Sequence, residues 1–211
     1  MFDLESRGDR VELPHGVGAW DVAVKDGAIA ALAAHGSFAP DQAARVIDAG
    51  SGIVMPGGID PHVHCSWYMP PFVPGGSSGL SAPPELVSRA ALWGGTTTII
   101  DFAPCKPDRE GDESSSQSVR DAIEARDRDW AGRCYCDYAY HILLRGRGLP
   151  SVIAELAEAV EAGYPTVKIF TTDITPSRRG RMVRFGELWE IFKVVSRAGG
   201  LGVIHAEDND I

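Results

Sequence analysis

The sequence predicts an α/β fold: a small β module followed by about five strand–helix units of a parallel, barrel-type sheet. Residues 1–55 read as short strands separated by turns. From Pro56-Gly57-Gly58 onward, short apolar runs alternate with amphipathic helical segments. Histidine and lysine side chains suited to metal binding then recur at the C-terminal ends of the apolar runs, where parallel barrels place their chemistry.

In the first module Asp21-Val22-Ala23-Val24 alternates, Asp26-Gly27 is a hairpin signal, and Ala28-Ile29-Ala30-Ala31-Leu32 follows. Arg45-Val46-Ile47-Asp48 and Ile53-Val54-Met55, separated by Gly50-Ser51-Gly52, read as two more short strands. Residues 56–211 form the second region. Its strands are expected at Ile59–His64, Thr96–Phe102, Cys136–Leu144, Thr166–Thr171 and Leu201–Ala206. Several are apolar on both faces, as a parallel sheet covered by helices requires.

Four helices fall between them. Pro84–Trp93 places Leu86, Ala90 and Trp93 on one stripe. Ser116–Trp130 aligns Val119, Ile123 and Trp130. Ser151–Ala162 turns Ile153, Leu156 and Val160 inward and stops at Gly163. Glu187–Ala198 does the same with Leu188, Ile191, Phe192 and Val195 and stops at Gly199-Gly200. Two long Pro-, Gly- and Ser-rich loops, Ser66–Pro83 and Pro104–Ser116, follow strands, as active-site loops do, although surface insertions look the same.

Of the 211 residues, 44% are hydrophobic and 23% charged, a balance that argues against disorder and coiled coil. A net charge of −9 leaves no basic surplus, so nucleic-acid and anionic-membrane partners are not expected. No apolar run approaches the ~18 residues of a membrane span. The start, Met1-Phe2-Asp3-Leu4-Glu5, lacks a leader's apolar core, so a cytoplasmic protein is expected. Cys65, Cys105, Cys134 and Cys136 fit no zinc-finger spacing and read as reduced thiols. Gly57-Gly58 and Gly94-Gly95 lack the strand-to-helix context of phosphate loops.

The sharpest local signal is Asp60-Pro61-His62-Val63-His64. Residues two apart on a strand share a face, so two imidazoles could meet one metal ion. Asp60 reads as a turn former. Lys168 lies inside the apolar run Thr166-Val167-Lys168-Ile169-Phe170. Burial favours a neutral amine, which can add CO₂ to give a carbamate able to bridge two metals. His205 ends another apolar strand. Each has an ordinary structural reading: a core histidine, or a lysine reaching solvent at a strand end. Their common placement at C-terminal strand ends favours a joint metal site. His141 reads as core, His15 and His35 as surface residues, and Glu207, Asp208 and Asp210 as a solvated acidic run.

Val54-Met55-Pro56-Gly57-Gly58-Ile59-Asp60-Pro61-His62-Val63-His64, Gly94-Gly95-Thr96-Thr97-Thr98-Ile99-Ile100-Asp101-Phe102-Ala103, Val167-Lys168-Ile169-Phe170 and His205-Ala206-Glu207-Asp208-Asn209-Asp210 resemble the hydantoinase/dihydropyrimidinase branch of the amidohydrolase superfamily. The resemblance implies a TIM-type (β/α)₈ barrel, here incomplete, preceded by part of a β-sandwich. It implies two divalent metals, usually zinc, held by His62, His64, carboxylated Lys168 and His205. The implied chemistry is hydrolysis of a cyclic amide by a metal-bridged hydroxide. A small cyclic amide is the implied substrate, and a homo-oligomer is expected. Two positions depart from the pattern: Asp173 stands where a substrate-binding tyrosine is usual, and Ser66 where dihydroorotases carry arginine.

A complete barrel takes roughly 250 residues. The family's sixth-strand histidine and eighth-strand catalytic aspartate have no counterpart here. The expectation is that a second polypeptide, or a C-terminal remainder of a longer protein, completes the barrel. A non-catalytic scaffold or regulatory homologue of dihydropyrimidinase is the alternative.

Overall fold

The computed structural model describes residues 1–69, 71, 75–105, 118–146, 150–173 and 180–208. The expected loop Pro104–Ser116, the start of the helix expected from Ser116, and Asp210 fall wholly or largely outside them. Two compact units result, Met1–Gly57 and Gly58–Ile211.

The first unit is a five-stranded sheet of β1 (Leu4–Leu13), β2 (Gly16–Lys25), β3 (Ala28–Ala34), β4 (Val46–Asp48) and β5 (Ile53–Val54). β1 pairs antiparallel with β2 and parallel with β4 and β5. Sequence patterning does not reveal β1, because Glu5, Arg7, Asp9 and Arg10 break its alternation and its register shifts between Gly8 and Val11. The β2–β3 turn is the one expected: Asp26 (φ 51°) and Gly27 (φ 76°) both take the left-handed conformation that matches strand twist. His35 is exposed, yet it caps a buried carboxylate. Its Nδ1 lies 3.0 Å from Asp21, which also accepts the Gly36 and Ser37 N–H groups.

The second unit contains β6 (Gly58–Asp60), the ribbon β7 (Tyr68–Met69) and β8 (Gly79–Leu80), α1 (Pro84–Trp93), β9 (Thr96–Pro104), α2 (Val119–Trp130), β10 (Asp137–Leu143), α3 (Pro150–Glu161), β11 (Thr166–Phe170), α4 (Phe185–Arg197) and β12 (Leu201–His205). Five of its strands form a curled parallel half-barrel in the order β12-β11-β10-β9-β6. β6 is half as long as expected and stops before His62. The loop after it is not structureless, since it carries the β7–β8 ribbon.

Alternation splits the half-barrel into two faces. Ile99, Tyr140, Ile142, Val167 and Ile169 pack outward with Ala122, Trp130, Leu156, Ile191 and Val195 of the helices. Phe102, His141, Leu143 and Lys168 take the other face, which carries the candidate site. α4 approaches β12 closely: a Cβ on Gly202 would lie 2.4 Å from Phe192, so glycine is what lets helix and strand meet there.

α2 buries Val119 and Trp130, and α4 buries Ile191 and Val195, as expected; α3 buries Leu156 but pairs it with Val152 and Ala159 rather than with Ile153 and Val160; α1 departs furthest. Pro84 and Ser88 are its buried residues and Val87 and Ala91 pack on the core, while Leu86 is 58% and Trp93 90% exposed. Both stripes have helical spacing, and the more apolar one faces out. Ser118 caps α2, its Oγ accepting the Asp121 N–H at 3.0 Å. Ser118→Ala is expected to cost about 1 kcal/mol, read from the urea midpoint.

Candidate metal-binding site

His62 and His64 sit on extended coil beyond β6, not on the strand itself. Asp60 makes the turn expected of it, its Oδ1 accepting the His62 N–H at 3.0 Å. The two rings stand edge-on, centroids 5.2 Å apart. Phe102 of β9 backs both, at 4.8 Å from His62 and 4.9 Å from His64. Burial first, then the like charges of His64, Lys168 and His141, hold His62 below the usual imidazole range. A neutral imidazole is the form that ligates metal.

His141 belongs to this neighbourhood as support. Its ring is buried 5.0 Å from Phe102. Nε2 lies 2.8 Å from the Pro61 carbonyl and Nδ1 2.6 Å from the Thr166 hydroxyl. Pro61 O only accepts, so Nε2 carries a proton, and in the neutral ring Nδ1 accepts from Thr166. His141 thus ties the start of the His62–His64 loop to β10 and β11.

Lys168 is 6% exposed, with Nζ 5.4 Å from the Phe170 ring. His205 is in register with Phe170 on the neighbouring strand, their rings 5.1 Å apart. Its Nε2 is 3.2 Å from Glu207, so one residue of the expected solvated run contacts a candidate ligand. The structure therefore brings His62, His64 and Lys168 into one electrostatic neighbourhood and leaves His205 one strand further along. Among the described residues, no three His, Cys, Asp or Glu groups are close enough to form a metal centre by themselves. The donor set that could hold metal is three imidazoles plus Lys168, and it is of the nitrogen-rich, borderline type that suits zinc.

Two departures take structural roles. Asp173 Oδ1 accepts the N–H groups of Arg181 (2.9 Å) and Met182 (2.7 Å), anchoring the return of the chain toward α4. Ser66 adopts a left-handed backbone (φ 56°), and its N–H donates to Ala82 O.

Asp101 escapes reading by residue type and spacing. It is fully buried in β9. Oδ2 accepts from the Cys65 N–H (3.0 Å) and from Arg126; Oδ1 accepts from the Phe102 N–H (2.6 Å) and Trp67 Nε1 (3.0 Å). The signal available in sequence was a carboxylate inside an apolar run, Ile99-Ile100-Asp101-Phe102. The four cysteines are free thiols. Burial pushes Cys65 and Cys105 up to about 12 and Cys136 up to about 11, so these three stay protonated and poorly nucleophilic near neutrality.

Fold and site together define a curled parallel α/β half-barrel with imidazole and lysine groups on its strands and on the loop just beyond β6. Over its length the chain corresponds to the N-terminal portion of hydantoinases and dihydropyrimidinases. It is 34% identical over 193 residues to a D-hydantoinase of Streptomyces coelicolor, covering 89% of this chain and 37% of that one. It is 30% identical over 198 residues to the dihydropyrimidinase of Rattus norvegicus, covering 90% and 34%. A D-hydantoinase crystal structure superposes with a TM-score of 0.77 at 27% identity, covering 100% of this chain and 41% of that one. No family model matches the chain. The chain thus spans about two fifths of the length of these relatives.

Proposed function

We propose that this chain is the N-terminal portion of a binuclear-metal cyclic amidase that hydrolyses a ring C–N amide bond. Residues 1–55 contribute to a β-sandwich domain and residues 56–211 begin the barrel. The observation that carries the reading is the buried Lys168, close enough for its charge to act on His62, on the sheet face whose Phe102 backs both the His62 and His64 rings. In this reading His62 and His64 would hold one metal and His205 the second, and the Lys168 amine would add CO₂, forming an N–C bond and releasing a proton, to supply an anionic carboxylate ligand. When bound, such metals act as Lewis acids and lower the pKa of water toward neutrality. Phe102 fills the space behind both imidazoles, and His141 fixes the loop that carries them.

The proposal includes completion of the barrel by further polypeptide. β6 and β12 are the outer strands of the five-stranded sheet, and Ile59 and Leu201 on them are each 64% exposed. Unpaired edges with exposed apolar residues favour pairing with additional strands. A small cyclic amide as substrate, a homo-oligomeric assembly and a cytoplasmic location complete the reading. Among the described residues, no helix is long and apolar enough to cross a membrane.

One observation favours the second reading, a non-catalytic scaffold. Asp173, at a position implied for substrate contact, spends an oxygen on the backbone of residues 181–182. Metal analysis of the completed assembly separates the two. The amidase reading expects two metal ions per barrel, and turnover of hydantoin, dihydrouracil or a related cyclic imide. Absence of bound metal at neutral pH, with no turnover across that panel, would establish the scaffold instead.

A further inference from the structure

We propose that Asp101 and Arg126, an ion pair beneath the His62–His64 loop, position those imidazoles for metal, a role that rests on the amidase reading above. The loop lies beyond β6 and lacks a strand's ladder to hold it. Its backbone groups are held individually instead. The Val63 N–H donates to Ile100 O at 3.1 Å. Ser81 Oγ donates to His64 O at 2.5 Å and accepts the Trp67 N–H at 2.8 Å. Cys65, the residue after His64, has both main-chain groups bound by the pair: its N–H by Asp101 and its C=O by Arg126, each at 3.0 Å.

The next residue, Ser66, takes a left-handed backbone that a non-glycine residue holds only when its surroundings over-determine it. Asp101 also fixes the Trp67 indole, whose ring lies 4.7 Å from His64. Arg126 comes from α2 and lies over the rings of Trp67 and Trp130, each at 5.8 Å. A continuous path therefore runs from the outer helix through the ion pair to the ligand loop. Asp101 Oδ1 stands 3.9 Å from His64 Nδ1, beyond hydrogen-bond range, so it acts through Cys65 and Trp67 rather than on the imidazole. It is a positioning residue.

The test uses Co²⁺ alone as probe in the completed assembly, with Asp101→Asn and the milder Trp67→Phe, which removes one donor to Asp101. Asp101→Asn is expected to weaken Co²⁺ binding about 10–100-fold and shift its visible absorption bands, as loss of an outer support does at metal sites. Trp67→Phe should move both in the same direction by a smaller factor. In the metal-free form, hydrogen exchange at the Cys65 and Trp67 amides should accelerate in Asp101→Asn while the β10 and β11 amides keep their protection. Wild-type affinity and bands in a folded Asp101→Asn protein would overturn the proposal. Should that variant not fold, unchanged bands in Trp67→Phe would overturn it. Failure of the wild type to bind Co²⁺ would sink the amidase reading instead; the exchange measurement then still judges the loop clamp, and unaltered Cys65 and Trp67 protection would refute it.

Discussion

Replacing Lys168 by alanine is expected to reduce cyclic-amide hydrolysis by on the order of 10³-fold or more, because the proposed carboxylate ligand supports the charge stabilisation on which the reaction depends. Metal content of the completed assembly should fall in parallel. The aliphatic stem of Lys168 is buried, so alanine also removes packing atoms. Lys168→Met separates the two effects. Methionine restores most of the stem without an amine, and should recover the unfolding midpoint but neither metal nor activity. Infrared or mass detection of a CO₂ adduct on wild-type Lys168, absent from both variants, gives a readout independent of turnover. Full activity and full metal content in Lys168→Met would remove the lysine from the site.

Trp130→Ala is expected to be the most destabilising single change outside the site, at about 3–5 kcal/mol. Trp130 is fully buried where α2 meets β10. Its ring lies 5.2 Å from Tyr138 and 5.8 Å from Tyr140, and the Arg126 guanidinium lies over it. Alanine would leave a large cavity in that layer. Trp130→Phe is the informative partner. The indole Nε1 has no hydrogen-bond acceptor among the described residues, so phenylalanine loses some volume but also removes an unsatisfied buried donor. Its cost should be about 1 kcal/mol or less. Urea denaturation of both variants checks the pair. Equal, large losses would mean that the indole N–H is satisfied and matters, contrary to the structure.

Legibility in the sequence tracked the strength of local signals. Alternating apolar runs and helix-period segments marked four of the five half-barrel strands to within two residues at either end. Asp26-Gly27 announced its turn because few dipeptides tolerate two left-handed residues in succession. Lys168 stood out because a charged side chain inside an apolar strand is chemically odd wherever it occurs. β1 was invisible because its charged residues lie on a sheet face whose burial depends on distant partners. α1 misled, since Val87 and Ala91 compete with Leu86 and Trp93 at the same helical spacing, and only packing selects between them.

The sequence by itself determined the fold class, the kinds of donor atom available and the family these residues resemble. Those follow from residue type and spacing, which are local. Tertiary structure alone decided that the His62–His64 pair lies past its strand, pinned from below by Asp101 and Arg126 and from the side by His141. Such supports come from residues 25 to 80 positions apart in the chain. No local pattern encodes them, because a buried carboxylate or imidazole finds its partners only once the sheet has brought distant segments within hydrogen-bond reach.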